Sequence, residues 1–174
     1  MQIEEHKSTG RPRRWLRAIL LLALPVAAIL TITVGSELFR SYEECRRMGC
    51  AVNLKQLGLL CYAYAEENDG AFPSRWSDLK SIDHATNAQF YCPASGHAAG
   101  NWEGVDLWAD YRLTPNLTTN VPPDTVLAIE PLANHDAAGA NVLFADGHVA
   151  WWTASQITNW RLRATSPAPN TPEQ

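Results

Sequence analysis

The chain has 174 residues, with four cysteines, seven tryptophans and a net charge of −4, a length that suits one domain of ordinary size with additions. Residues 1–17 hold five basic and two acidic side chains, net +3, whereas residues 18–174 hold nine and sixteen, net −7. So acidic a body argues against a nucleic-acid partner, which needs clustered Lys and Arg against phosphate.

Residues 1–14 are polar and read as disordered. Ala18 to Val34 contains no charged residue, and Gly35 and Ser36 extend the run. Seventeen helical residues span roughly 26 Å, the lower limit for a bilayer crossing. Pro25 would kink a soluble helix, but membrane helices tolerate it. Two alternatives stand beside an uncleaved anchor. One is a buried core helix. The other is a cleaved secretory signal, for which Val34-Gly35-Ser36 is the nearest cleavage-like sequence. The basic residues precede the span, so the positive-inside bias puts the N-terminus in the cytoplasm and the body outside, in the periplasm of a cell with two membranes.

Beyond the span the helical pattern continues to Glu67. Cys50, Leu54, Leu57, Cys61 and Tyr64 recur at steps of four and three, forming one apolar stripe. Asn68-Asp69-Gly70 stops the helix, with Gly70 or Asn68 suited to a left-handed cap. The expectation is one long helix over 18–67. Ser74 then caps a short helix over 75–81, with Trp76, Leu79 and Ile82 inward. Gln89 to Cys92 reads as a short strand ended by Pro93. Residues 94–108 read as loop. Tyr111 to Leu113 and Thr125 to Glu130 read as strands.

Residues 141–152 join two apolar runs through Asp146-Gly147, a pair suited to a type I′ hairpin with positive φ at both residues. The predicted strands are Asn141–Ala145 and His148–Trp152. Thr153 caps a last helix to about Arg163, with Ile157 and Trp160 inward. The proline-rich tail from Ser166 reads as disordered. The element order predicts α+β: a long N-terminal helix packed against a small antiparallel sheet. The organisation is a basic cytoplasmic arm (1–17), a transmembrane helix (18–36), an extracytoplasmic domain (37–165) and a tail (166–174).

Cysteines outside the cytoplasm raise the question of disulfides. Cys45, Cys50 and Cys61 all lie on the predicted helix. Cys50 and Cys61 stand about 16 Å apart along it, beyond the ~7 Å reach of a bridge. At most one intrachain bond fits, from Cys92 to Cys50 or to Cys61. The alternative is that Cys50 and Cys61 are small buried hydrophobes. There is no Cys-x-x-Cys pair and the histidines are scattered, a pattern that argues against zinc.

Two segments carry a resemblance. One runs Arg46-Arg47-Met48-Gly49-Cys50-Ala51-Val52-Asn53-Leu54-Lys55-Gln56-Leu57-Gly58 and on through Tyr64 to Pro73. The other is Asn141-Val142-Leu143-Phe144-Ala145-Asp146-Gly147-His148-Val149. Together they resemble the pseudopilin-like, membrane-anchored family with a C-terminal motif of His, nine residues and Asp-Gly. Phe90-Tyr91-Cys92-Pro93 and Thr125-Val126-Leu127-Ala128 fit further parts of that pattern. Ten residues separate His135 from Asp146 here, one more than the motif.

The resemblance implies a pilin-like fold, no catalytic activity, and partners among type II secretion or pilus-like components reached through the long helix. The family's usual type IV prepilin leader is a Gly before Phe-Thr-Leu-Ile-Glu. Here Gly10 precedes Arg11-Pro12-Arg13-Arg14, so the anchor is expected to be an ordinary uncleaved signal-anchor.

His135, Asp136, Asp146 and His148 cluster around the hairpin, and Glu130 could join them. The resemblance brings calcium into view as a ligand for Glu130, His135, Asp136 and Asp146. The turn alone already explains Asp146-Gly147, and calcium needs several converging oxygens. A metal-dependent enzyme built on His135, Asp146 and His148 is a third reading. Trp102 and Trp108, among the glycines of the middle loop, are candidates for a ligand-contact surface. With them the protein would be a stand-alone anchored binding module, although core packing of the loop explains them too.

Overall fold

The structure is a computed structural model that describes residues 12–165. Residues 1–11 and the proline-rich tail from Ser166, all read as disordered, lie outside the described residues, whereas residues 12–14, also read as disordered, belong to a helix. The chain divides between Tyr42 and Glu43 into two compact units.

Helix α1 runs from Pro12 to Glu67 with Pro25 inside it, so it starts ahead of the expected residue 18. In the first unit its apolar side chains face outward. Leu21, Leu22, Leu24, Ile29 and Ile32 are all more than half exposed. A core helix would bury these groups, so the buried-core alternative falls. The hydroxyls of Thr31, Thr33 and Ser36 each donate to a carbonyl one turn back. The segment thus satisfies its own polar atoms, as a lipid environment requires. Among the described residues this is the one helix long and apolar enough to cross a membrane, consistent with a single-pass membrane protein.

The second unit has three layers. A four-stranded antiparallel meander lies at its centre, in the order β1 (Arg112–Leu113), β2 (Val126–Ile129), β3 (Gly139–Phe144) and β4 (Val149–Thr153). The membrane-distal part of α1 covers one face. Cys50, Leu54, Leu57, Cys61 and Ala65 are buried there with Leu127, Ala128 and Leu143. Helix α3 (Ala154–Thr165) covers the other face, where Ile157 and Trp160 meet Val126, Ile129, Val142 and Phe144. Sandwiched in this way, β2 and β3 are buried along their whole length. The α1 layer and antiparallel sheet are the α+β arrangement expected from the element order.

Contacts between α1 and the hairpin are direct. The Tyr62 hydroxyl donates to the Ala145 carbonyl, and Lys55 Nζ donates to the Gly147 carbonyl at 2.6 Å. At Gly58 the helix comes so close to β3 that an added Cβ would stand 3.0 Å from Leu143 Cδ1.

Several local expectations give way. The hairpin turn is not type I′. Asp146 has negative φ, and Gly147 alone takes the left-handed conformation, at φ 82°. Phe144 accepts from Gly147 N–H at 2.9 Å and donates to His148 O at 3.0 Å. This is a three-residue loop with a glycine bulge, held by the His148 N–H on Asp146 Oδ1 at 2.9 Å.

Gln89–Cys92 is not a strand. Asn87–Phe90 forms a 3-10 turn, and the Cys92 N–H donates to Asp110 Oδ2 rather than to a neighbouring strand. Ser74 does not cap the next helix, a 3-10 helix over Trp76–Ser81. Asp78 closes its first turn by accepting from the N–H groups of Ser74 and Arg75. The expected loop at 94–108 contains a short helix α2, Val105–Trp108, because Val105 is buried in the core. At the end of α1, Asp69 and Gly70 take positive φ, while Asn68 does not.

Candidate functional site

The site begins with an irregularity in β2. Val126 pairs with Phe144, but Ala128 pairs with Leu143, so Leu127 is an extra residue. A regular strand alternates faces, and the bulge resets that alternation. As a result, Leu127 and Ala128 both face α1, while Ile129 turns to α3. Without the bulge Glu130 would point toward α3. With it, the carboxylate points into the layer beneath α1.

There it meets four other elements. Glu130 is fully buried. Its Oε2 accepts the Asn141 N–H at 2.8 Å, and Asn141 Nδ2 lies 3.2–3.3 Å from both carboxylate oxygens. The same amide nitrogen donates to the Arg47 carbonyl on α1 at 3.0 Å. Cys92 Sγ stands 3.7 Å from Oε1. This is a contact and not a hydrogen bond, because Cys92 is bonded to Cys50 and has no thiol proton. Of the two partners that helix geometry left open for Cys92, the structure selects Cys50. Cys61 stays a free, buried thiol, and burial pushes its pKa up to about 12.

His135 closes the cluster from a 3-10 turn, Leu132–His135, that precedes β3. Its Nε2 lies 3.2 Å from Glu130 Oε2, but off the line that an N–H···O bond requires. Neither ring nitrogen has a hydrogen-bond partner, although the side chain is fully buried. Trp151 stands opposite Asn141 on β4 and meets the imidazole edge-on at 5.2 Å. The Arg47 guanidinium covers the same indole at 4.2 Å from the ring centre. Tyr111, also buried, donates to the Cys50 carbonyl at 3.3 Å. Its phenol is pushed far above its usual pKa, first by burial and then by the charge of Glu130.

The Cys92–Pro93 turn is held from the other side by Asp110, which is 6 % exposed. Its Oδ2 accepts from the Cys92 N–H at 2.9 Å and the Ser95 hydroxyl at 2.7 Å.

The candidate residues therefore separate. Glu130 and His135 come together with Cys50 and Cys92, and one ligand atom from each lies within 4.8 Å of the others. Asp136 does not join them. It is exposed and ends the 3-10 turn in a left-handed conformation, φ 51°. Asp146, Gly147 and His148 lie past the far end of β3. There His148 Nδ1 sits 2.5 Å from Asp146 Oδ1, which, with the His148 backbone N–H first, holds the Asp146 carboxyl below the usual carboxylate range. The histidine and Asp-Gly of the motif thus stand at opposite ends of one strand, so His135, Asp146 and His148 form no common centre.

Trp102 and Trp108 are half-buried and pack edge-on to Phe90, with ring centres 5.3 and 6.4 Å away. Asn141, Arg47 and Trp151 escaped the sequence reading as site residues. The available signal was an Asn inside an otherwise apolar strand and a Glu at the end of another. No family model, curated protein or solved structure matches this chain.

Proposed function

We propose that this is a non-catalytic pseudopilin-like protein, anchored by one helix with its N-terminus in the cytoplasm and its domain outside. In this reading it associates side by side, through α1, with pilin-like or secretion components. One observation carries the reading. Within the second unit, α1 bears a second apolar stripe roughly opposite its buried one. Cys45, Met48, Val52 and Leu59, at steps of three, four and seven, are all exposed, the last three by more than half. Single exposed hydrophobes need no explanation, but an aligned row on one helix face suits a helical neighbour.

In the disulfide-bonded domain Glu130, His135, Cys50 and Cys92 are sealed, and a group that reacts with substrate has to be reachable, so this reading assigns no substrate to that cluster. The resemblance in residues 46–73 and 141–149 supports the choice of partners.

Cys45 supplies the test, because it is a native exposed thiol on the stripe. The full chain in its host membrane is treated with a short bis-maleimide. Cys45-dependent adducts with itself or a pilin-like protein are expected, and Met48→Glu/Val52→Glu should abolish them. If Cys45 gives only monomers, or if the double variant crosslinks equally well, lateral association is wrong.

A further inference from the structure

Independently of that reading, we infer that Cys50, Cys92, His135 and Glu130 form a divalent transition-metal site, of zinc type, in the chain before its disulfide is made. The bond and the metal would be alternative occupants of one buried position.

The donor set is two sulfurs, one imidazole and one carboxylate, drawn from α1, the Cys-Pro turn, the 3-10 turn and the end of β2. All four residues are buried, and their ligand atoms lie within 4.8 Å of one another. Zinc–ligand distances of about 2.0–2.3 Å in a tetrahedron require ligand atoms roughly 3.3–3.8 Å apart. The four atoms therefore need to move by about an ångström or less, apart from the two sulfurs, which part when their bond is absent. The Cα atoms of Cys50 and Cys92 are 5.0 Å apart, so the backbone already holds both side chains at one point.

His135 supplies the independent observation. Its imidazole is sealed from solvent, neither nitrogen makes a hydrogen bond, and Nε2 meets the carboxylate at 3.2 Å only as an ion-pair contact. A buried polar group left this way costs on the order of 1–3 kcal/mol, and metal ligation satisfies Nε2. The Asn141 N–H and amide orient Glu130, as outer partners of metal ligands do. Sequence spacing argued against zinc because no Cys-x-x-Cys pair is present. Here the fold, not a local motif, brings the two sulfurs together.

The exchange balances. The reduced chain binds M²⁺ through two thiolates and releases two thiol protons. A thiol oxidase carrying its own disulfide then accepts two electrons and, with two protons, leaves as a dithiol. Cys50 and Cys92 become the disulfide, and the M²⁺ departs.

The test uses the full chain in detergent, with Co²⁺ as the probe. One sample keeps its disulfide. The other is reduced with a phosphine in mild denaturant and returned to buffer without oxygen. One Co²⁺ per reduced chain is expected, with thiolate charge-transfer absorption and tetrahedral d–d bands, and none in the oxidised chain. Cys50→Ser should remove most of the charge-transfer band. His135→Gln and Glu130→Gln should each weaken binding by more than about tenfold, since losing even an outer partner of a metal ligand costs that much. Cys61→Ala should change nothing. A reduced chain that is folded by circular dichroism but takes up no Co²⁺ overturns the inference. So does equal uptake in both redox states, or uptake that ignores His135 and Glu130. A reduced chain that unfolds supports the inference if the metal restores its fold and overturns it if the metal does not.

Discussion

Removing the Cys50–Cys92 bond gives the sharpest test of how the second unit is held together. The bond closes a loop of 42 residues. Chain-entropy scaling for that length removes about 13 cal/mol/K from the unfolded state, or about 4 kcal/mol at 25 °C. Domains of this size have about 5–15 kcal/mol in total, so the loss is a large share. Near the midpoint, each kcal/mol shifts Tm by about 3–5 °C for roughly 120 residues. The double variant Cys50→Ala/Cys92→Ala should therefore melt about 12–20 °C lower. The readout is tryptophan fluorescence of the full chain in detergent, because α1 in its micelle would dominate a helix signal. EDTA is present throughout, so that no ion substitutes for the bond. A drop below about 5 °C would refute the reasoning, showing that α1 and the Cys-Pro turn stay together in the unfolded chain without the bond.

Other expectations come from single contacts. A Cβ on Gly139 would stand 2.3 Å from the Trp152 carbonyl, a backbone atom that cannot swing aside. Gly139→Ala should cost about 3 kcal/mol or more, visible as a lower urea midpoint or as failure to accumulate. Trp102→Ala and Trp108→Ala should each cost about 1–3 kcal/mol, less than a fully buried tryptophan because both rings are partly exposed. Unchanged melting would instead show that neither ring holds the core.

Asp146 has a depressed carboxyl pKa in the folded state because His148 donates to it. Its contribution is full above the ordinary carboxylate pKa and is lost as pH falls through the lower folded value. Wild type and Asp146→Ala should therefore differ in urea midpoint at pH 7 and converge in strong acid. A gap that persists at the lowest pH would show that the turn, not the charge, sets the difference.

Long-period features were legible in the sequence. The stripe from Cys50 to Cys61 located the buried face of α1, and the apolar runs around Asp146-Gly147 located the hairpin. The failures were of local chemistry decided by particular hydrogen-bond partners, near or far along the chain. Asp-Gly alone does not say whether one or two residues take positive φ, and the His148 N–H on Asp146 decided it. Residues 89–92 have strand composition but lack a strand beside them, and Asp110, 18 positions after Cys92, takes the donor. The burial of Glu130 beside His135 depends on one extra residue in β2. No periodicity can reveal that, because a bulge is defined against the register of its partner.

The bond from the Asn141 amide to the Arg47 carbonyl sets a limit on how this domain can move. A helix resting on a sheet through aliphatic side chains alone can roll or creep by small steps at little cost. Here a main-chain oxygen of the helix is tied to an amide that also secures a sealed carboxylate. Advancing the helix by one turn, 5.4 Å, would part the Asn141 amide from the Arg47 carbonyl. Within the second unit the seat of α1 on β3 is therefore marked by a polar contact as well as by apolar packing, and a slide of the helix over the sheet has to give up that contact.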